Sequence, residues 1–212
     1  VSFANVICER GERCFYFAFE ESLVQIIRNM KSIGIDLQRW LDQGLLQIVS
    51  TRPSMYGLEM HLAMIHKQVM DSQPHSVIID PMTNFSDIGS TLEVHAALNR
   101  LIDFFKANSI TTMFLSLTHG TTSEAATDVG VSSMMDTWVL LRNLEANGER
   151  NRGLYILKAR GCNHSNQIRE FRIGRNGIEL VDAYIGTDKV LMGTARIAQE
   201  AKENAEGVLR QQ

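Results

Sequence analysis

Little in this sequence points to a cross-linked, membrane-embedded or strongly charged protein. Its three cysteines, Cys8, Cys14 and Cys162, are odd in number and lack metal-ligand spacing. Reduced thiols in a cytoplasmic protein are therefore the expectation. No apolar run approaches the roughly 20 residues needed to span a bilayer, and no signal-peptide pattern is visible. With 21 basic and 24 acidic residues the net charge is −3, which argues against a mainly electrostatic nucleic-acid binder. Internal repeats and low-complexity tracts are also missing. So is a helix cap at the start: "VSFANVICERG" reads as the body of a helix with no Ser, Thr, Asp or Asn ahead of it. The chain is expected to be cut from something longer.

What is present is a globular composition, 44% hydrophobic and 21% charged over 212 residues, long enough to bury a core. Helix and strand alternate. Residues 1–10 read as a helix closed by Gly11, and "CFYFAF" (14–19) as a strand covered on both faces. Leu23, Ile26, Ile27, Met30 and Ile33 recur at helical spacing over 22–33, and Gly34 ends that helix. "DLQRWLDQG" gives a short helix, "LLQIVS" (45–50) a strand, "TRPSMYG" a loop and 58–71 a helix with Leu58, Leu62, Ile65 and Val69 on one face. "HSVIID" (75–80) is a third strand, 91–107 a helix and "TTMFLSL" (111–117) a fourth strand. This is the pattern of a three-layer α/β domain, whose ligands bind at the carboxyl ends of the strands.

After residue 118 the texture changes. "THGTTSEAATDVGVSS" reads as a mobile loop. "TWVLLRNLE" (137–145) and "GLYILKAR" (153–160) read as strands joined by "ANGERNR", and "IREFRIGRNGIELV" as a hairpin turning near Asn176–Gly177. Residues 194–210 form a last amphipathic helix with Ala198, Ala201, Ala205 and Val208 in one stripe. The expected organisation is an α/β domain over 1–193 with an antiparallel extension, then a helix and tail over 194–212.

Glu20 and Glu21 end the first strand as adjacent like charges. Spacing alone favours acids at a helix N-terminus. The alternative is a chemical pair, one carboxylate acting as general base while its neighbour tunes it or orients a metal-bound water. Asp80 ends an apolar strand, either as a turn acid or as a Walker-B acid holding Mg²⁺. Lys158 and Arg160, two apart in "LKARG", would share one strand face, as guards of an edge strand or as cations presented to phosphate. His164 could add a donor. Ser132 and Ser133 are loop hydroxyls unless a phosphate donor comes near. His61 and His66 are five apart and share no helical face, and no histidine metal site follows.

The blocks "GERCFYFAFEES", "QIIRNMKSIGID", "LLQIVSTRPSMYGLEMHL", "SVIIDPMT", "DVGVSSMMDTWVLLR" and "LKARGCNHSNQIREFRI" resemble, in order and spacing, the KaiC family of RecA-like P-loop ATPases. The likeness covers essentially the whole chain and is strongest to the family's kinase-bearing second ATPase domain. It implies a RecA-like core, with ATP and Mg²⁺ bound between subunits of a hexameric ring. It matches Glu20 and Glu21 to the catalytic glutamate pair, and Asp80, with Glu20, to the metal-holding acids. Arg152, Lys158, Ala159, Arg160, Cys162 and His164 match the stretch that reaches the nucleotide from the adjacent subunit. Ser132 and Ser133 match the autophosphorylated positions, with Thr127 the threonine linked to that chemistry.

The sequence also departs from the family. The phosphate-binding loop GxxxxGK[ST] belongs just ahead of Val1 and is absent, which points to a fragment or a degraded homologue; the uncapped start favours a fragment. Ser133 stands where threonine is usual, Cys162 where serine or threonine is usual, and Ile33 where a tryptophan often lies. The implied activity is ATP hydrolysis with Ser/Thr autophosphorylation, with clock or signalling proteins as partners. Two alternatives stay open: a non-catalytic RecA-like assembly module, and a recombinase-like DNA-dependent ATPase, which the acidic balance disfavours.

Overall fold

A computed structural model of the chain describes residues 1–117, 133–146, 148–174, 177–181, 184–185, 190–191 and 193–209. Two compact units emerge. The first is mainly Val1–Met135; the second is Asp136–Gly174 with Ile178–Gln212.

In the first unit, helix α1 (Ser2–Glu9) precedes strand β1 (Cys14–Ala18), all five residues of which are buried. Helix α2 (Leu23–Ser32) starts at Ser22, whose hydroxyl accepts from the Gln25 N–H while the Gln25 side chain returns to the Ser22 N–H, a reciprocal capping box. It ends before Gly34 at φ +82°, a conformation that suits a residue without Cβ. Helix α3 (Gln38–Asp42), strand β2 (Leu46–Ser50), helix α4 (Leu58–Ser72) and strand β3 (Ser76–Asp80) follow. Helix α5 (Thr91–Ala107), with its own capping box from Ser90 and Glu93, leads to strand β4 (Thr111–Phe114). Two 3₁₀ turns, Pro53–Met55 and Met82–Asp87, lie in segments the periodicity leaves as loop.

The four strands form one parallel sheet in the order β2-β1-β3-β4. Side chains alternate between its faces. Phe15, Phe17, Phe19, Val77 and Ile79 pack with Leu58, Leu62, Ile65 and Val69 of α4 and Val94, Leu98, Leu101 and Phe105 of α5. Cys14, Tyr16, Ala18 and Ile78 pack on the other face with Ala4, Ile7, Ile26 and Trp40. The apolar spacing of α4 and α5 thus becomes burial, and β1, covered twice, needs no polar face. Burial pushes the thiols of Cys8 and Cys14 up to about 11 and about 12, so both are protonated packing groups.

The second unit holds an antiparallel sheet in the order β5-β6-β7-β8, from β5 (Thr137–Ala146), β6 (Glu149–Ala159), β7 (Arg169–Gly174) and β8 (Gly177–Val181). The β5–β6 connection is shorter than the sequence implied, because Glu145 and Ala146 still pair with Arg150 and Glu149. Strands β9 (Tyr184–Ile185) and β10 (Val190–Leu191), unforeseen in the sequence, pair antiparallel. Helix α6 (Gly193–Leu209) is gripped at its start. Buried Glu170 accepts from the Gly193 N–H at 3.0 Å and from Arg172 Nε at 2.9 Å, and Glu149 accepts from the Thr194 N–H at 3.1 Å. Ala198 and Ala201, expected in a packing stripe, are exposed.

Candidate active site

The carboxyl ends of the parallel strands are laced together by main-chain hydrogen bonds. Phe19 N–H donates to the Asp80 carbonyl at 2.8 Å, Thr51 N–H to Ala18 at 3.0 Å, Leu115 N–H to Ile79 at 2.9 Å and Met82 N–H to Leu115 at 2.8 Å. The register sets Ala18 opposite Asp80, so Glu20 and Glu21 lie just past the same edge as Asp80. All three sequence-derived acids of this unit therefore lie at one edge of the sheet.

They are not first-turn helix acids. Helix α2 has no acid in its first turn, and Ser22 separates the glutamates from it. Glu21 is fixed: its Oε1 accepts from Asn29 Nδ2 at 3.0 Å, and its carbonyl accepts from Ser50 Oγ at 2.8 Å. Glu20 is exposed, and among the described residues no hydrogen bond or ion pair engages its carboxylate. Two neighbouring carboxylates thus have different environments, one held and one available.

Asp80 is half-buried. Its Oδ2 accepts from the Tyr16 hydroxyl. Two further polar residues follow the ends of these strands, Thr83 three residues after Asp80 and Ser116 two residues after β4. Thr83 Oγ1 and Ser116 Oγ are both shut off from solvent and without a hydrogen-bond partner among the described residues. Orphaned buried hydroxyls call for an explanation. Carboxylate and hydroxyl oxygens are hard donors, the chemistry Mg²⁺ prefers. Among the described residues no group of three His, Cys, Asp or Glu could hold a metal. Mg²⁺ needs fewer, since it keeps waters and takes substrate phosphate oxygens. An oxygen donor set of this kind is compatible with that ion, Asp80 being the carboxylate that could hold it and Glu20 the further acid of the same edge.

The basic candidates lie in the second unit. Arg152 is exposed on β6 opposite Asn143, Lys158 is opposite Trp138, and Ala159 is opposite Thr137. The pairing slips between Trp138 and Val139, because Val139 faces Ile156 while Trp138 faces Lys158. Leu157 is the extra residue of a β-bulge. Residues directly opposite one another share a face, so Lys158 points away from the face of Arg152, Leu154 and Ile156. β6 stops at Ala159, one residue before Arg160. Its N–H donates to the Asp136 carbonyl at 2.8 Å, and its guanidinium is 3.8 Å from the Asp136 carboxylate. β6 pairs with β5 along its length but with β7 only at Gly153 and Leu154 among the described residues, so the end of β6 that carries Lys158 lies past the start of β7, in keeping with the edge-strand reading. Cys162 and His164 are exposed in the segment that follows, and Ser133 is exposed just ahead of β5. Ser132 and Thr127, with most of the expected mobile loop, lie outside the described residues.

Sequence reasoning missed Tyr16, Asn29, Thr83 and Ser116. Tyr16 hides inside an apolar run, and only the β1–β3 register reveals that it shares a face with Asp80.

Comparison with known proteins adds independent observations. A model of the KaiC ATPase family matches residues 2–184. The circadian clock protein KaiC2 of Synechocystis sp. is 50% identical over 212 residues, 99% of this chain and 37% of its own length. KaiC3 of the same organism is 33% identical over 93% of the chain and 40% of its own. The circadian clock oscillator protein KaiC of Parathermosynechococcus lividus is 35% identical over 88% and 35%. The chain thus spans about two-fifths or less of the relatives it matches.

Proposed function

Because the chain belongs to the KaiC ATPase family, a family of RecA-like α/β folds, we propose that it hydrolyses ATP and transfers phosphate to its own hydroxyls at the interfaces of a hexameric ring. The observation that carries this reading is the asymmetry of the glutamate pair: Glu21 tied to Asn29 and Glu20 unengaged at the strand edge it shares with Asp80. An available carboxylate can take a proton from a water, or from a serine hydroxyl, as that oxygen attacks the terminal phosphate. Water as nucleophile yields ADP and free phosphate; a serine hydroxyl yields ADP and phosphoserine. Glu21, anchored through side chain and carbonyl, holds the turn in which Glu20 sits. When bound, Mg²⁺ held by Asp80 would offset the negative charge of the phosphates, with the Glu20 carboxylate left beside it as the base.

The second unit supplies the other half from a neighbouring subunit. Arg152, Lys158 and Arg160 offer cations to phosphate oxygens, with Ala159, Cys162 and His164 in the same nucleotide-contacting stretch. Ser132 and Ser133 are the acceptor hydroxyls, with Thr127 beside them. In this reading 1–193 is the ATPase domain and 194–212 a C-terminal helix and tail. The setting is cytoplasmic, with clock or signalling proteins as partners. Among the described residues no helix is long and apolar enough to cross a membrane.

The test is ATP turnover by the complete gene product. Replacing the general base, Glu20→Gln, should lower turnover by about 10²-fold or more; Glu21→Gln should lower it less. Unchanged turnover in both variants would remove the glutamates from the chemistry. Folded oligomers without any turnover would favour the non-catalytic assembly module.

A further inference from the structure

Tyr16 sits in the middle of β1, flanked by Ile48 and Ile78. Only 2% of its surface is exposed, and its ring belongs to the apolar layer shared with α1, α2 and α3. Phenylalanine serves the packing at positions 15, 17 and 19 of the same run, so packing alone does not require a hydroxyl here. A buried phenol costs free energy unless its O–H finds an acceptor. The acceptor is Oδ2 of Asp80, two residues further along the neighbouring strand and on the same sheet face. Burial, then the hydrogen bond and charge of Asp80, push ionisation of the phenol upward, so it remains a donor.

An aspartate's terminal torsion is soft and roughly two-fold. A donor fixed in a packed core and bound to one oxygen sets the carboxylate plane. Among the described residues no hydrogen bond engages the other oxygen, Oδ1. We propose that Tyr16 is a positioning residue: its hydroxyl holds Oδ2 of Asp80 and leaves Oδ1 as the oxygen free for the divalent cation that accompanies the nucleotide. The inference rests on the reading of Asp80 as a cation-binding acid. Donors behind a metal ligand fix its orientation, and their loss commonly weakens metal binding about 10–100-fold.

The experiment is a Mn²⁺ titration, followed by electron paramagnetic resonance, of the complete gene product with a non-hydrolysable ATP analogue. Asp80→Asn should abolish the tight Mn²⁺ site. Tyr16→Phe, which keeps the ring and its packing, should weaken it about tenfold while metal-free nucleotide affinity stays as in the wild type. Loss in Asp80→Asn with wild-type affinity in Tyr16→Phe overturns the role of Tyr16 and leaves the reading of Asp80 standing. Wild-type affinity in Asp80→Asn overturns both. Should Tyr16→Phe fail to fold, the wild-type protein with ζ-carbon-labelled tyrosine decides the matter. The Tyr16 resonance is expected to move when Mg²⁺ joins the nucleotide, and a stationary resonance overturns the proposal.

Discussion

At the scale of single residues, the place of Glu20, Glu21 and Asp80 at the sheet edge is legible because each follows an apolar run, and a charge there has nowhere to go but the edge. The difference between Glu20 and Glu21 was not legible. It depends on Asn29, eight residues on from Glu21, reaching back from α2, a relation that spacing along one strand cannot show. The hydroxyls carry the proposed kinase chemistry. Intact mass after incubation with ATP should show added phosphate on the complete protein, and the double change Ser132→Ala with Ser133→Ala should abolish it. Phosphate persisting in that variant would move the acceptor elsewhere. A polar atom buried without a partner, as at Thr83 and Ser116, leaves no signature in sequence, because either residue reads equally well as a loop hydroxyl.

At the scale of elements, periodicity performed well where one face is buried. The helix expected over 91–107 is α5 to the residue, and the four buried positions named on α4 are all buried. It failed where geometry departs from period. The bulge at Leu157 shifts the register by one residue, a slip that no alternation in the sequence displays. The 3₁₀ turn at Met82–Asp87 is too short to display a stripe, although Met82 and Phe85 are core residues. The grip on α6 is likewise non-local. Burial raises the Glu170 carboxyl, but the hydrogen bonds from Arg172 and the Gly193 N–H and the charges of Arg172 and Arg196 outweigh it, and its folded value lies below the ordinary one. Stability from this group is therefore present above the ordinary glutamate value and is lost as pH falls through the lowered folded value. Hydrogen exchange at the Gly193 and Thr194 amides should accelerate across that acid window. Glu170→Gln should flatten the pH dependence at Gly193, whereas an unaltered profile would detach Glu170 from the anchoring of α6.

At the scale of the whole molecule, one surface remains to be accounted for. On β5, Val139 and Leu141 are 47% and 56% exposed, on the same sheet face as Arg152 by the β5–β6 register. An apolar face beside a cation proposed to serve a neighbour's nucleotide is suited to a second copy of this chain. Leu141→Asp should then shift the complete protein to smaller species in mass photometry with ATP present. An unchanged distribution would place the contact elsewhere.

The parallel sheet has a consequence for how such a protein can change over generations. Phe15, Phe17, Val77 and Ile79 face α4 and α5, whereas Tyr16 and the Asp80 carboxylate it binds belong to the opposite side. Substitutions that tune the larger apolar cluster meet the reacting groups only through the backbone of the strands. If the acids carry the reaction proposed for them, lineages can drift in robustness to heat along one side while the other stays tied to that chemistry.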